Sequence, residues 1–521
     1  MCRWRDATPD APAIKAYRVD ERSVRISYAE YARHVERFAG ALYELGVRPG
    51  QVVACQLPNW WQAQALLLAA ARLEAVVAPI MTTIRPRELE RMLRLLGASV
   101  YVTVDEWAGF GHSAALAEIA PRLPELRHRV VIGAPACGEI DFRSFFEETP
   151  WEQRHPVVLD DAQEDPDRVA LVLFTSGTTG EPKGALHTQN TMYASAISVG
   201  EVHNFGADDV RFTPHALMHI VAQTNALGVL SAGASMVLLD TWSGERGLQV
   251  LADSGTTAFV AAPSFVHDMI AAIQGEAPHL PALRTVRCVG APVPKQLVSQ
   301  VSDVFGAHLL VGWGMTEIGT GTMTRSDDPP DWAAHSDGRP VRGMELDLRS
   351  DTEIRKDRPG RLFVRGSGVC LATVVRDSGT LTVIAEHDDG WYDTGDLAVP
   401  DGRGGIRLMG RAADRIGGVF MIPVSDVESE LLKNPGVADA ALVGYPDERD
   451  GELACAVIVP ATEPPITLDG LRKYLADQGM TEWYLPTRVE YVESLPRNGN
   501  GKVRKELLRR RLVGTASLTG D

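Results

Sequence analysis

The sequence has no Cys-x-x-Cys pair; its six cysteines, Cys2, Cys55, Cys137, Cys288, Cys370 and Cys455, are dispersed. That spacing offers neither a zinc site nor a disulfide framework and fits a reducing cytosol. No signal-peptide core follows Met1-Cys2-Arg3-Trp4-Arg5-Asp6, and the long apolar stretch from Ala65 to Ala71 is far too short to cross a bilayer. The expectation is a cytoplasmic protein without a membrane span. Positive charge is also scarce: 52 Lys and Arg stand against 68 Asp and Glu, a formal charge of −16. That balance argues against a nucleic-acid binder, whose phosphate contacts need clustered cations. Internal repeats and low-complexity tracts are missing, which excludes solenoids and disordered arrays. At 521 residues the chain is too long for one ordinary domain.

Two common phosphate-binding motifs are missing too. A Walker loop ends in Gly-Lys followed by Ser or Thr, whereas here Lys183 lies between Pro182 and Gly184. A Gly-x-Gly-x-x-Gly fingerprint between strand and helix is not found. What the chain does have is Phe174-Thr175-Ser176-Gly177-Thr178-Thr179-Gly180-Glu181-Pro182-Lys183-Gly184, directly after the apolar run Val169 to Phe174. Glycines let several backbone N–H groups converge on one anion. The hydroxyls donate hydrogen bonds and the lysine offsets negative charge. The composition is that of a polyphosphate cradle and points to a nucleotide triphosphate.

Elsewhere the pattern is α/β. Ser27-Tyr28-Ala29-Glu30 reads as a capping box opening a helix that Gly46 ends. Val52 to Leu57 reads as a buried strand and Trp61 to Leu73 as a helix. Further strands are expected at Ser99–Val104, Arg129–Ile132, Ser235–Leu239, Thr257–Ala261 and His308–Val311, with helices between many of them, which argues for parallel sheets wrapped by helices. From about Gly338 short β-like runs (Met344–Leu348, Arg361–Arg365, Leu381–Ala385, Ile406–Met409) suggest a small β-rich subdomain. Beyond Gly410-Arg411 the texture is α+β. The acidic segment Asp160–Asp167 reads as a linker or surface loop.

On its Thr/Ser/Gly-rich loop, and on further motifs from about Leu57 to Lys502, the chain resembles the adenylate-forming superfamily, in particular its acyl-CoA synthetases. The resemblance implies a large N-terminal domain, residues 1–410, of two stacked α/β subdomains plus a small β-barrel-like subdomain. It also implies a small mobile α+β C-terminal domain, residues 411–521, acting as a lid. Thr175, Ser176, Gly177, Thr178, Thr179, Gly180 and Lys183 would hold the phosphates of ATP. Gly312-Trp313-Gly314-Met315-Thr316-Glu317 resembles the second signature, usually written with tyrosine at the place of Trp313. The aromatic would stack on adenine, Thr316 would bond the α-phosphate and Glu317 would hold Mg²⁺, a hard cation that takes oxygen ligands. Gly290-Ala291-Pro292 resembles the adenine-site loop. Gly390-Trp391-Tyr392-Asp393-Thr394-Gly395-Asp396-Leu397 resembles the ribose motif, with Asp396 accepting both hydroxyls and Arg411 adding a contact.

Lys502, in Pro496-Arg497-Asn498-Gly499-Asn500-Gly501-Lys502, matches the family's C-terminal catalytic lysine, which stabilises charge at the α-phosphorus. Read alone, it is a solvated lysine before a basic helix. His219, in Pro214-His215-Ala216-Leu217-Met218-His219, falls beside the family's acyl carboxylate and could gate the pocket; read alone, it is a satisfied core histidine. Peptide-synthetase domains carry an aspartate in this region, and Phe212 to His219 has none, which disfavours an α-amino-acid substrate. Ile318-Gly319-Thr320-Gly321 hints at a pocket wall with little bulk.

One segment departs from the family. Gly410-Arg411-Ala412-Ala413-Asp414 has Ala413 where an Asp or Lys hinge is usual, and Arg415 to Val424 is about one residue short, with Val419-Phe420 replacing a polar pair. The family's two half-reactions share one pocket and require the small domain to rotate, so an altered hinge suggests poor switching. The expectation is an acid–thiol ligase using ATP, Mg²⁺ and CoA on a carboxylic acid. The alternatives are a partial ligase performing one half-reaction beside a partner ligase, a ligase loading a carrier protein, and a non-catalytic acyl-adenylate binder.

Overall fold

The computed structural model describes residues 1–19, 23–156, 165–175, 183–276, 278–291, 293, 295–329, 331–356, 358–376, 378–411, 416–417, 421–422, 424–447, 451–496 and 503–512. Two nine-stranded sheets dominate them. In the first, strands Val210–Phe212, Ser235–Leu239, Ala258–Ala261, Thr285–Cys288 and His308–Met315 run parallel. Their near-continuous apolar content follows from burial on both faces. Phe212, Phe259, Val286 and Cys288 point into one core, packed on helices Gly244–Ser254, Pro263–Ala271 and Lys295–Phe305. The opposite face is covered by helices Gln189–His203 and Ile220–Ala232.

The second sheet is parallel through Val52–Gln56, Val76–Pro79, Val100–Val104 and His128–Ile132. Helix Tyr28–Glu44 starts at the expected capping box: Ser27 Oγ accepts from the Glu30 N–H, and a Glu30 oxygen accepts from the Ser27 N–H. Such a cap contributes about 1 kcal/mol.

The strand before the phosphate loop, Val169–Thr175, pairs antiparallel with Lys183–Thr188, and Thr175 lies opposite Lys183. Two expectations change in the β-rich part. The β-rich subdomain is an open four-stranded sheet rather than a barrel, of order Met344–Arg349, Gly360–Gly366, Tyr392–Pro400, Ile406–Arg411. Leu381–Val383, expected there, instead pairs with Ala372–Val375, which extends the second large sheet through Lys183–Thr188. Both outer edges of the Val169 hairpin are thus paired, with Val76–Pro79 on one side and Ala372–Val375 on the other.

From Ile416 onward a separate hydrophobic cluster forms around Val427, Leu431, Leu442, Ile458, Leu471 and Leu475. It lies between a three-stranded sheet (Val437–Asp447, Gly451–Pro460, Arg488–Tyr491) and helices Val424–Leu431 and Leu468–Asp477. This unit meets helix Pro86–Leu96 of the large body. Arg87 Nη2 is 3.0 Å from Glu430 Oε2, and Tyr484 packs on both cores. No described helix is long and apolar enough to cross a membrane.

Candidate active site

Parallel sheets place their chemistry at the C-terminal ends of strands, where loops and helix N-termini converge. Here those ends carry Thr213 to His219, Gly290-Ala291 and the hairpin tip Thr316-Glu317-Ile318. The strand His308–Met315 reverses at that tip and pairs with Gly319–Met323. Gly314 is required in this turn because a Cβ there would strike the Gly319 carbonyl.

The hairpin side chains reach the small sheet. Trp313 Nε1 donates to Asp396 Oδ2 at 3.0 Å. Both residues are buried, with the indole lying against Gly321. Asp396 sits on strand Tyr392–Pro400, where the Thr394 hydroxyl accepts from its N–H, and its backbone is opposite Arg411. Glu317 is also buried; its Oε1 accepts from the Tyr392 hydroxyl at 3.2 Å. The motifs carrying Trp313, Glu317, Tyr392 and Asp396 therefore form one cluster.

The Thr316 carbonyl accepts from His187 Nε2 at 2.7 Å. A carbonyl only accepts, so the proton is on Nε2 and Nδ1 faces the Thr191 hydroxyl. Burial pushes His187 down to about 4, although its bond to Thr316 opposes this shift. His187 is thus a neutral strut under the hairpin tip. It carried no motif signal.

His219 is the N-cap of helix Ile220–Ala232, with Nδ1 accepting from the Val221 N–H at 3.2 Å. That fixes the proton on Nε2, half-buried beside His215 at a ring separation of 5.1 Å. Gly290 has a φ of +86° and open space where a Cβ would lie, which suits close approach of a planar base. Ala291 is half-buried next to it. The glycines after Glu317 do not widen a pocket: a Cβ on Gly319 would strike Ser195, and one on Gly321 would strike the Trp313 ring.

Ser176, Gly177, Thr178, Thr179, Gly180, Pro292, Lys502 and the hinge Ala413 lie outside the described residues, as does the Arg411 side chain. The described ends of the phosphate loop, Thr175 and Lys183, are held as a pair across the hairpin. Among the described residues no group of three His, Cys, Asp or Glu could hold a metal ion. Glu317 offers one buried carboxylate, which fits Mg²⁺ carried mainly by phosphates and water rather than a protein cage.

Trp313 and Glu317 of the hairpin thus meet Asp396 and Tyr392 of the small sheet beside the C-terminal ends of a parallel sheet. The AMP-binding enzyme family model matches residues 2–372, and that of the AMP-binding enzyme C-terminal domain matches residues 426–502. The chain belongs to the AMP-binding enzymes. It is 28% identical to a medium-chain fatty-acid–CoA ligase of Escherichia coli (strain K12), covering 97% of this chain and 88% of the relative. It is 31% identical to a feruloyl-CoA synthase of an Amycolatopsis species, covering 97% and 96%. Among solved structures, amide bond synthetase McbA from Marinactinospora thermotolerans shares the fold with a TM-score of 0.81 at 25% identity, covering 97% and 99%. The relatives are named CoA ligases and synthetases, consistent with an AMP-forming acid–thiol ligase.

Proposed function

We propose that this enzyme activates a carboxylic acid with ATP and transfers the acyl group to CoA. The acid's carboxylate oxygen attacks the α-phosphorus and pyrophosphate leaves; the CoA sulfur then attacks the acyl carbonyl, AMP leaves, and the thiol proton passes to solvent. The observation that carries this reading is the convergence of Trp313, Asp396, Glu317 and Tyr392 at the strand ends.

In this reading Asp396 accepts from the ribose hydroxyls while Trp313 holds one of its oxygens. Thr316 lies at the α-phosphate, and Glu317 contributes one oxygen to Mg²⁺, which neutralises charge on the phosphates. Gly290 and Ala291 border the adenine. Residues 176–182 supply the remaining phosphate contacts and Lys502 the charge at the α-phosphorus. The small domain, residues 411–521, closes over residues 1–410.

Acid-dependent pyrophosphate release and CoA-dependent AMP formation, measured separately over aliphatic, aromatic and polycyclic acids, test the reading. Both activities are expected, with Lys502→Ala losing adenylation while still binding nucleotide. Nucleotide binding without release from any acid would instead establish a non-catalytic binder. Adenylation without thioester formation would establish a partial ligase, a reading favoured by Ala413 at the hinge and the shortened segment after it.

A further inference from the structure

The face of the first sheet that looks toward helices Gln189–His203 and Ile220–Ala232 carries two arginines. Alternation places Phe212, Phe259 and Val286 in the opposite core, so Arg211, Ala258, Val260 and Arg287 share this face. Arg211 is 1% and Arg287 2% exposed. Among the described residues, Nε and Nη1 of both have no hydrogen-bond partner. Arg211 lies 3.9 Å over the Phe205 ring, which stacks on His203 at 4.6 Å. Both ring nitrogens of His203 are shielded and also unpartnered. Asn225, 2% exposed, has Oδ1 and Nδ2 unpartnered; three residues along the same helix, Gly228 makes the room that the Arg211 guanidinium occupies.

Charge does not balance here. Burial lowers Arg211 to about 9 and Arg287 to about 10, so both stay charged at neutral pH. The carboxylate acting on Arg211 is Asp209, already bonded to Arg284, Thr257 and the Gly206 N–H. Buried charges in proteins are ordinarily paired, because an unpaired one costs several kcal/mol. Two such cations, with an amide and an imidazole also unpaired, call for an anion that the described residues do not supply.

The strand direction says where that anion would sit. Arg287 precedes Gly290 by three residues, roughly 10 Å along the strand. The arginines thus form a floor beneath the strand ends where the acid is activated. Ala258 and Val260, on the strand between, are buried but join neither packed core. Resting on the ligase reading above, we propose that the acid is a dicarboxylic acid: one carboxylate is adenylated at the strand ends, and the other is received by Arg211 and Arg287 on this face of the sheet, beside Asn225.

The test compares short- to medium-chain α,ω-dicarboxylic acids with their half methyl esters and with monocarboxylic acids of equal length, in CoA-dependent AMP formation. The expected result is a diacid kcat/KM at least about tenfold above the half-ester, the range of a lost charge-assisted contact. Arg287→Met and Arg211→Met should raise KM for the diacid by a similar factor with little change in kcat, and leave monoacid kinetics unchanged. Monoacids used as well as or better than diacids by the unaltered enzyme would overturn the inference while leaving the ligase reading intact, and that arm needs no variant to fold. No AMP formation with any acid of either class would sink the ligase reading and this inference with it.

Discussion

Trp313 donates its indole N–H to Asp396, at 3.0 Å between buried partners. The residue expected to lie along the adenine therefore also fixes the carboxylate expected to hold the ribose. Where the family usually has tyrosine, this chain has a ring whose polar atom faces the second motif. Trp313→Phe removes that donor and leaves a buried carboxylate oxygen less satisfied. A bond to a charged group contributes roughly 1.5–3 kcal/mol. KM for ATP should rise about tenfold or more, with a smaller effect on KM for the acid, measured by pyrophosphate release. Equal changes in both constants would contradict the assignment.

Tyr392→Phe takes the hydroxyl from Glu317. The buried carboxylate then depends more on the cation for its neutralisation, and its orientation loosens. The magnesium concentration giving half-maximal activity should increase a few-fold while the fold is retained, checked by a Mg²⁺ titration alongside thermal melting.

The contact between Arg87 and Glu430 joins the large body to the small unit. Glu430 is also held by Lys433 at 3.0 Å, and it is nearly fully buried. Charge reversal at Arg87 should penalise the described arrangement by about 1 kcal/mol or more, since a buried carboxylate loses a partner. The ratio of adenylation to thioester formation should therefore shift several-fold in Arg87→Glu. The double variant with Glu430→Arg should bring it back toward the original ratio. An unchanged ratio in the single variant would show that this contact does not bias the two half-reactions.

His187 sets a pH dependence of stability. Its folded value of about 4 lies below the ordinary 6.5, mainly because it is buried. The unfolded chain binds the proton first as pH falls, so stability is full above about 6.5 and is lost progressively toward 4. The contribution is at most about 3 kcal/mol. His34 and His112 are pushed to about 4 by burial as well and add in the same direction. Melting temperature should drop across this window, and His187→Gln should flatten part of the slope. Dependence identical to the parent would remove His187 from the account.

The strands and helices were largely legible because their signals are local. Ser27 and Glu30 cap a helix wherever the chain goes, and Val100–Val104 has the apolar run of a strand buried on both faces. Limits moved where pairing decided them: the strand from His308 continues to Met315 because Gly319–Met323 folds back on it. The small residues after Glu317 read as an open wall, yet Ser195 and Trp313 occupy the space. His219 was open between gate and core residue; it caps a helix through Nδ1.

The sequence by itself determined the family and the nucleotide chemistry, because a phosphate cradle is written in consecutive residues whose backbone does the binding. Only the tertiary structure decided which motifs meet. Trp313 and Asp396 are 83 positions apart, and His187 and the Thr316 carbonyl are 129 apart. Nothing in Arg211 or Arg287 taken singly marks them out. Their shared face follows from the register across three parallel strands, and register is set by long-range pairing that no local string encodes.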